Sequence, residues 1–255
     1  MIELMYQKHF QPLQKLPFCY LCAREFCVGD KINRDHIPPE AIFAKRDRDP
    51  LQLPTHYACN HTHHLNDEKV GQLIAMRRGH VPSEKNRKLR FRVFPDIGMA
   101  AFENLDIEGA VFRWVMGFHA ALYQKPMPRE AHATIFTPFV KAESWGGGRP
   151  VSVPTIPEYH RILESVITHR GKNTIDRVTC NNGQLRYECV WSQADTGEWW
   201  CSFLLDICDW KDLGRTPQLG ARDCVGMYVF PKHPMPRSAA VGVTPLPAYD
   251  IVHGE

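Results

Sequence analysis

Two short pairs of metal-ligating side chains constrain this chain more than any other feature. Cys19-x2-Cys22 sits in PFCYLCAREF, and His56-x2-Cys59 follows in LPTHYACN. An x2 turn aims two side chains at one point, so two such turns supply the four ligands of a tetrahedral zinc, and the loop between them is free to vary. Cys27 is a spare thiol that could replace His56 as ligand, although its spacing from Cys22 suits a knuckle less well. The start, MIELMYQKHF, lacks the basic flank, greasy stretch and small-residue cleavage site of an export signal. Nine cysteines are an odd number for such a chain, so metal binding or burial explains them better than a disulfide framework. Cys180, Cys189, Cys201, Cys208 and Cys224 form no x2 pairs and are expected to fill a reduced core, with a second metal site as the alternative.

Between the knuckles runs Asn33-Arg34-Asp35-His36-Ile37-Pro38-Pro39, and Asn60 follows the last zinc candidate directly, with His61, His63 and His64 just beyond. Breaking a phosphodiester needs an activated water and a cation that neutralises the phosphate and the leaving oxygen. Asp35 supplies a hard oxygen and Asn60 can add a carbonyl oxygen, a set suited to magnesium or manganese. In an extended segment His36 points away from the side Asp35 faces, so one residue holds the metal while the other meets the water as general base. Asn60 and His64 are four apart, which on a helix puts them on one face. That makes His64 a candidate third ligand or phosphate contact, with His63 nearly as good. Pro38 and Pro39 lack backbone donors and end the strand.

The order CxxC, DHIPP, then a zinc ligand followed by Asn at a helix start resembles the HNH endonuclease family, the ββα-metal fold, in its zinc-stabilised form. It covers roughly residues 17 to 70, with His56 where that pattern usually shows Cys. The resemblance implies a structural zinc on Cys19, Cys22, His56 and Cys59. It also implies a catalytic magnesium or manganese on Asp35, Asn60 and His64, with His36, Asp35 and Asn60 as the catalytic set.

Composition supports a soluble globular protein: in 255 residues, 44% are hydrophobic and 23% charged. No apolar run approaches the roughly 18 to 20 residues a membrane span needs, so no membrane partner is expected and the location is read as cytoplasmic. Charge is uneven. Residues 1–94 carry sixteen Lys and Arg against ten Asp and Glu, a net +6, whereas 95–255 carry fifteen against eighteen, a net −3. Most of the excess lies in RRGHVPSEKNRKLRFR, where Arg77, Arg78, Lys85, Arg87, Lys88, Arg90 and Arg92 face one Glu. Such a stretch suits a phosphate ladder and marks a DNA contact, with RNA possible and no base-reading pattern visible.

The expected organisation is a zinc-bound HNH domain at 1–76, a basic connector at 77–95 and an α+β domain at 96–255. The last would serve specificity, assembly with a second copy or a partner protein, or regulation. ENLDIEGAVFRWVMGFHAALYQ predicts a helix over 103–124 stopped by Pro126 and Pro128, with His119 as a core histidine. Residues 157–170 predict a second helix, and Trp145 to Pro150 a flexible loop. Strands at 174–180 and 184–191 flank Asn181-Asn182-Gly183, a tight-turn sequence, and Trp199 to Ile207 and Val225 to Phe230 supply two more. The fold class is therefore α+β with an antiparallel sheet. The functional reading is a metal-dependent HNH endonuclease acting on DNA. Its alternatives are a non-catalytic zinc-knuckle nucleic-acid binder or a nuclease acting on RNA, and the sequence does not separate restriction, phage defence and recombination.

Overall fold

The computed structural model describes residues 1–43, 50–77, 83–94, 99–128, 131–136, 175–193, 197–207 and 224–230. In chain order the strands are β1 (Glu3–Leu4), β2 (Ile32–His36), β3 (Gln52–His56), β4 (Arg90–Phe94), β5 (Met99–Glu103), β6 (His132–Phe136), β7 (Asp176–Cys180), β8 (Leu185–Gln193), β9 (Trp199–Ile207) and β10 (Cys224–Phe230). The helices are α1 (Gln7–Phe10), α2 (Tyr57–His61), α3 (His64–Arg77) and α4 (Ile107–Tyr123).

Six strands form one sheet in the order β1-β7-β8-β9-β10-β6, antiparallel throughout except for the short parallel β1–β7 pair. This is the α+β architecture with an antiparallel sheet. The β7–β8 hairpin turns on Asn181, Asn182 and Gly183, all with positive φ (53°, 61° and 82°), the conformation that Asn and Gly tolerate best. Helix α4 begins four residues later than its periodicity suggests. Asn104 takes a positive φ of 49° and closes β5, and the Asp106 carboxylate then accepts the Gly109 backbone N–H at 2.8 Å, the bond that caps a helix start.

The apolar face of α4, with Val111, Trp114, Val115 and Phe118 buried, lies on the sheet, where Phe118 stacks on Tyr187 with ring centroids 4.7 Å apart. Cys180, Cys189 and Cys201 are fully buried there. His119 is buried with its ring edge-on to Tyr123 and Trp191. Cys208, Trp145 to Pro150 and the helix expected at 157–170 lie outside the described residues. Among the described residues no helix is long and apolar enough to cross a membrane.

The first residues of the chain reach into the sheet. Asp176 accepts the Ile2 backbone N–H at 2.8 Å, and Arg177 bridges Glu3 and Glu188. One apolar cluster joins Phe10, Ile37 and Leu53 to Phe118 and Tyr187. A β-carbon at Gly117 would come within 2.5 Å of Ile37, so the missing side chain is what lets the DHIPP segment lie against α4.

Candidate metal centre

Strands β2 and β3 pair antiparallel, with Ile32 opposite His56, Asp35 opposite Leu53 and His36 opposite Gln52. The chain passes from His56 straight into α2, so a two-stranded hairpin followed by helix carries Asp35, His36, His56, Cys59 and Asn60, while His64 opens α3. That knuckle is a tight turn. Cys19 donates its backbone N–H to Arg24 and accepts from Ala23, whose φ is +60°, and Phe18 bridges Glu25 across the turn. The second pair uses the end of β3 and the first turn of α2.

These four side chains meet. The donor atoms of Cys19, Cys22, His56 and Cys59 all lie within 4.8 Å of one another, against an edge of about 3.8 Å for a sulfur tetrahedron built on zinc–sulfur bonds of about 2.3 Å. His56 Nδ1 is 3.3 Å from Cys22 Sγ, and its other nitrogen, Nε2, is 3.2 Å from Asp30 Oδ2. A carboxylate on the outer nitrogen fixes the tautomer and turns the inner one toward a metal. The Asp30 carboxylate is itself held by the Cys27 backbone N–H at 2.7 Å, which together with His56 keeps its pKa below the ordinary carboxylate value. Phe26 meets the His56 ring edge-on at 4.9 Å.

Burial pushes the Cys19 thiol up to about 12. Burial also raises Cys59, whereas at Cys22 the Arg24 backbone and the His56 ring outweigh burial and pull the value down. Three crowded sulfurs and one oriented imidazole are a soft donor set in zinc's preferred ratio, and a divalent ion would deprotonate the thiols on binding. The quartet therefore fits a metal such as zinc.

The second group of candidates is placed differently. Asp35 and His36 are consecutive on β2 and point to opposite sides, both half-buried. Asp35 Oδ2 accepts the Tyr20 hydroxyl at 2.6 Å. Burial raises its pKa to about 6, opposed by the Tyr20 hydrogen bond and reinforced by the nearby Asp67 carboxylate. Asp67 pairs with Arg113 of α4 at 2.6 Å, with both side chains largely buried. His36 Nε2 is 2.7 Å from the Gln52 side-chain amide across the hairpin, which holds the ring by one nitrogen and leaves Nδ1.

Asn60 follows Cys59 in α2, but it does not share a continuous helix with His64. The Thr62 hydroxyl bonds back to Ala58 at 2.8 Å and His63 N–H bonds to Asn60 at i−3, so the chain tightens and re-aims before α3 begins. Two turn residues, Thr62 and His63, thus separate Asn60 on α2 from His64 at the start of α3. His64 is exposed, 3.9 Å from Glu68. His63, half-buried and held below its ordinary pKa by burial and then by Arg113, lines a cavity of about 440 Å³ between the knuckle and α4. Among the described residues, the Cys/His quartet is the one place where three or more His, Cys, Asp or Glu donors converge.

The basic stretch splits into separate elements. Arg77 closes α3, Lys85 lies in a 3-10 turn at Glu84–Asn86, and Arg90 and Arg92 lie on β4, while Arg78 is outside the described residues. The Gln72 side chain of α3 clamps the backbone, donating to Asn86 O at 2.7 Å and accepting from Lys88 N at 2.8 Å and Leu89 N at 2.9 Å. Leu89 is buried, whereas Arg87, Lys88, Arg90 and Arg92 are exposed. Asp30, Tyr20 and Arg113 are contributors that the sequence did not point to. Comparison with protein-family models, curated proteins and solved structures finds no match to the chain.

Proposed function

We propose that the chain is a metal-dependent endonuclease of the HNH type that hydrolyses DNA phosphodiester bonds. One observation carries the reading. The β2–β3 hairpin runs directly into α2 with the Cys/His quartet gathered at their junction, leaving Asp35 and His36 together on β2 and Asn60 directly after Cys59.

On this reading these residues divide the labour. Zinc on the quartet fastens the knuckle to the hairpin and helix. Asp35 has one oxygen on Tyr20 and the other left for a hard cation, and Asn60 offers an amide oxygen nearby in sequence to the quartet. Two protein oxygens are few, and that is how magnesium is commonly held, with waters and substrate phosphate completing the shell. When bound there, magnesium or manganese supplies charge neutralisation at the phosphate and the leaving oxygen. His36, oriented through Gln52, takes the proton of the attacking water. Arg87, Lys88, Arg90 and Arg92 meet the phosphates.

The test is incubation of purified protein with supercoiled plasmid and magnesium or manganese, beside His36→Ala and a metal-free control. Nicked or linear product from the wild type alone is the expected result. Retarded DNA with no cleavage under any metal would leave the zinc-knuckle binder in its place, and cleavage of RNA alone would reassign the substrate.

A further inference from the structure

The first knuckle does more than hold a metal. Tyr20 stands between its two cysteines, in Cys19-Tyr20-Leu21-Cys22, so its backbone is fixed on both sides by residues of the quartet. Its side chain is 2% exposed, and its hydroxyl reaches Asp35 Oδ2 at 2.6 Å. The bond spans fifteen residues and joins the knuckle to β2. We propose that Tyr20 is a positioning residue that orients the Asp35 carboxylate for the second, hard divalent cation, so that the order of the Cys/His centre is transmitted to that cation's site.

The geometry gives the reason. A carboxylate on a strand can rotate about its χ angles and present either oxygen. With Oδ2 held by a buried hydroxyl, the rotation is arrested and Oδ1 is left as a single directed donor. Hydrogen-bonded partners of metal ligands commonly change affinity or activity by about 10- to 100-fold when removed. Arg113 and Asp67 flank the same carboxylate but bond to each other, so the direct hydrogen bond on Asp35 comes from Tyr20. Because the Tyr20 backbone is set by Cys19 and Cys22, loosening the knuckle would move the hydroxyl even with Asp35 itself unchanged. This inference rests on the proposed metal-binding role of Asp35, and its test is kept apart from cleavage.

The experiment compares manganese binding, without DNA, by zinc-loaded wild type, Tyr20→Phe and Asp35→Ala, following the paramagnetic signal of free manganese and measuring zinc content and melting temperature in parallel. Tyr20→Phe keeps the ring and its packing and loses only the hydroxyl. Its manganese affinity is expected to fall about 10- to 100-fold with zinc content and melting temperature close to wild type, and Asp35→Ala is expected to fall at least as far. A role in packing alone would lower the melting temperature and leave manganese affinity alone. Wild-type affinity in a folded, zinc-loaded Tyr20→Phe protein would overturn the inference while leaving Asp35 as ligand. Absence of manganese binding by the wild type would overturn both. Manganese binding that depends on Tyr20, in a protein that cuts no nucleic acid, would uphold the inference and overturn the nuclease reading.

Discussion

The part of the molecule around the Cys/His quartet and the part built on the six-stranded sheet share one apolar cluster but differ in what is added to it. In the sheet and α4, Phe118, Tyr187 and Phe203 are fully buried and packed ring on ring. Around the quartet Phe18, Tyr20, Leu51 and Leu53 are buried in the same cluster, yet Val28, Ile32, Tyr57 and Leu65 stay exposed. The sheet closes by removing apolar area from water, at roughly 25 cal/mol per Å². The hairpin and knuckle bury apolar area as well, and the convergence of four ligands adds to it. The two parts therefore differ in what destroys them, since the quartet side should also yield to loss of a metal.

The largest effect should come from the metal. Cys22→Ser, or exhaustive chelation, removes a site whose zinc binding is worth about 10 kcal/mol or more in small zinc modules, and elemental analysis should fall from about one zinc per chain to none. The hairpin and knuckle should lose order while fluorescence of the buried Trp191 stays native. Loss of both signals together would show that Ile37 on α4 couples the two parts into one cooperative unit and would break the contrast.

A cavity in the other part sharpens it. Phe118→Ala should cost about 3–5 kcal/mol, read by denaturant unfolding, and leave zinc content unchanged. If His36 is the general base, His36→Ala should lower cleavage by about 10²- to 10⁴-fold with zinc content unaltered, the side-chain hydrogen bond lost being that to Gln52.

Acid should act on the hairpin through Asp35. Its folded pKa of about 6 stands above the ordinary 3.8, so burial favours the protonated carboxyl. The stability this group contributes is full below 3.8 and is lost as pH rises through about 6. A hard cation needs the opposite form. Manganese affinity should therefore fall as pH drops below about 6, about tenfold per unit, in a titration at constant ionic strength.

The smallest effect is electrostatic. Changing Arg87, Lys88 and Arg90 together to Gln should weaken DNA binding about equally across sequences and reduce the salt slope by about 0.9 for each phosphate no longer neutralised. An unchanged slope would move the DNA-binding surface elsewhere.

Features written within a few residues were legible in the sequence. The x2 spacings located the quartet, Asn181-Asn182-Gly183 located a hairpin, and the apolar period located α4, because each pattern is produced by the geometry of one turn or one helix. Helix α4 was over-extended because Asp106 as a cap and Asn104 in the left-handed region interrupt the period from outside it. Contacts between distant segments left no local trace. Nothing near Glu3 announces Arg177, and nothing near Asp67 announces Arg113, since partner choice there depends on how whole elements dock. Asp30 was passed over because a carboxylate in a turn has many ordinary uses, and only the 3.2 Å approach to His56 singles it out. The two-residue turn at Thr62 and His63, which parts α2 from α3, left no signal in the Asn60–His64 spacing.

The three bonds from Gln72 to the backbone at Asn86, Lys88 and Leu89 have a metrical meaning. They set the phase of β4 against α3, and α3 follows, after a two-residue turn, the helix that bears Cys59 and Asn60. A strand advances about 3.3 Å per residue, close to the 3.4 Å axial step per nucleotide of one DNA strand. A slip of one residue at this clamp would offset the cations by about one nucleotide and also turn them to the opposite side of the ribbon. If the chain cuts duplex DNA, a single glutamine works as the zero mark of a ruler, fixing how far from the gripped phosphates the cut falls.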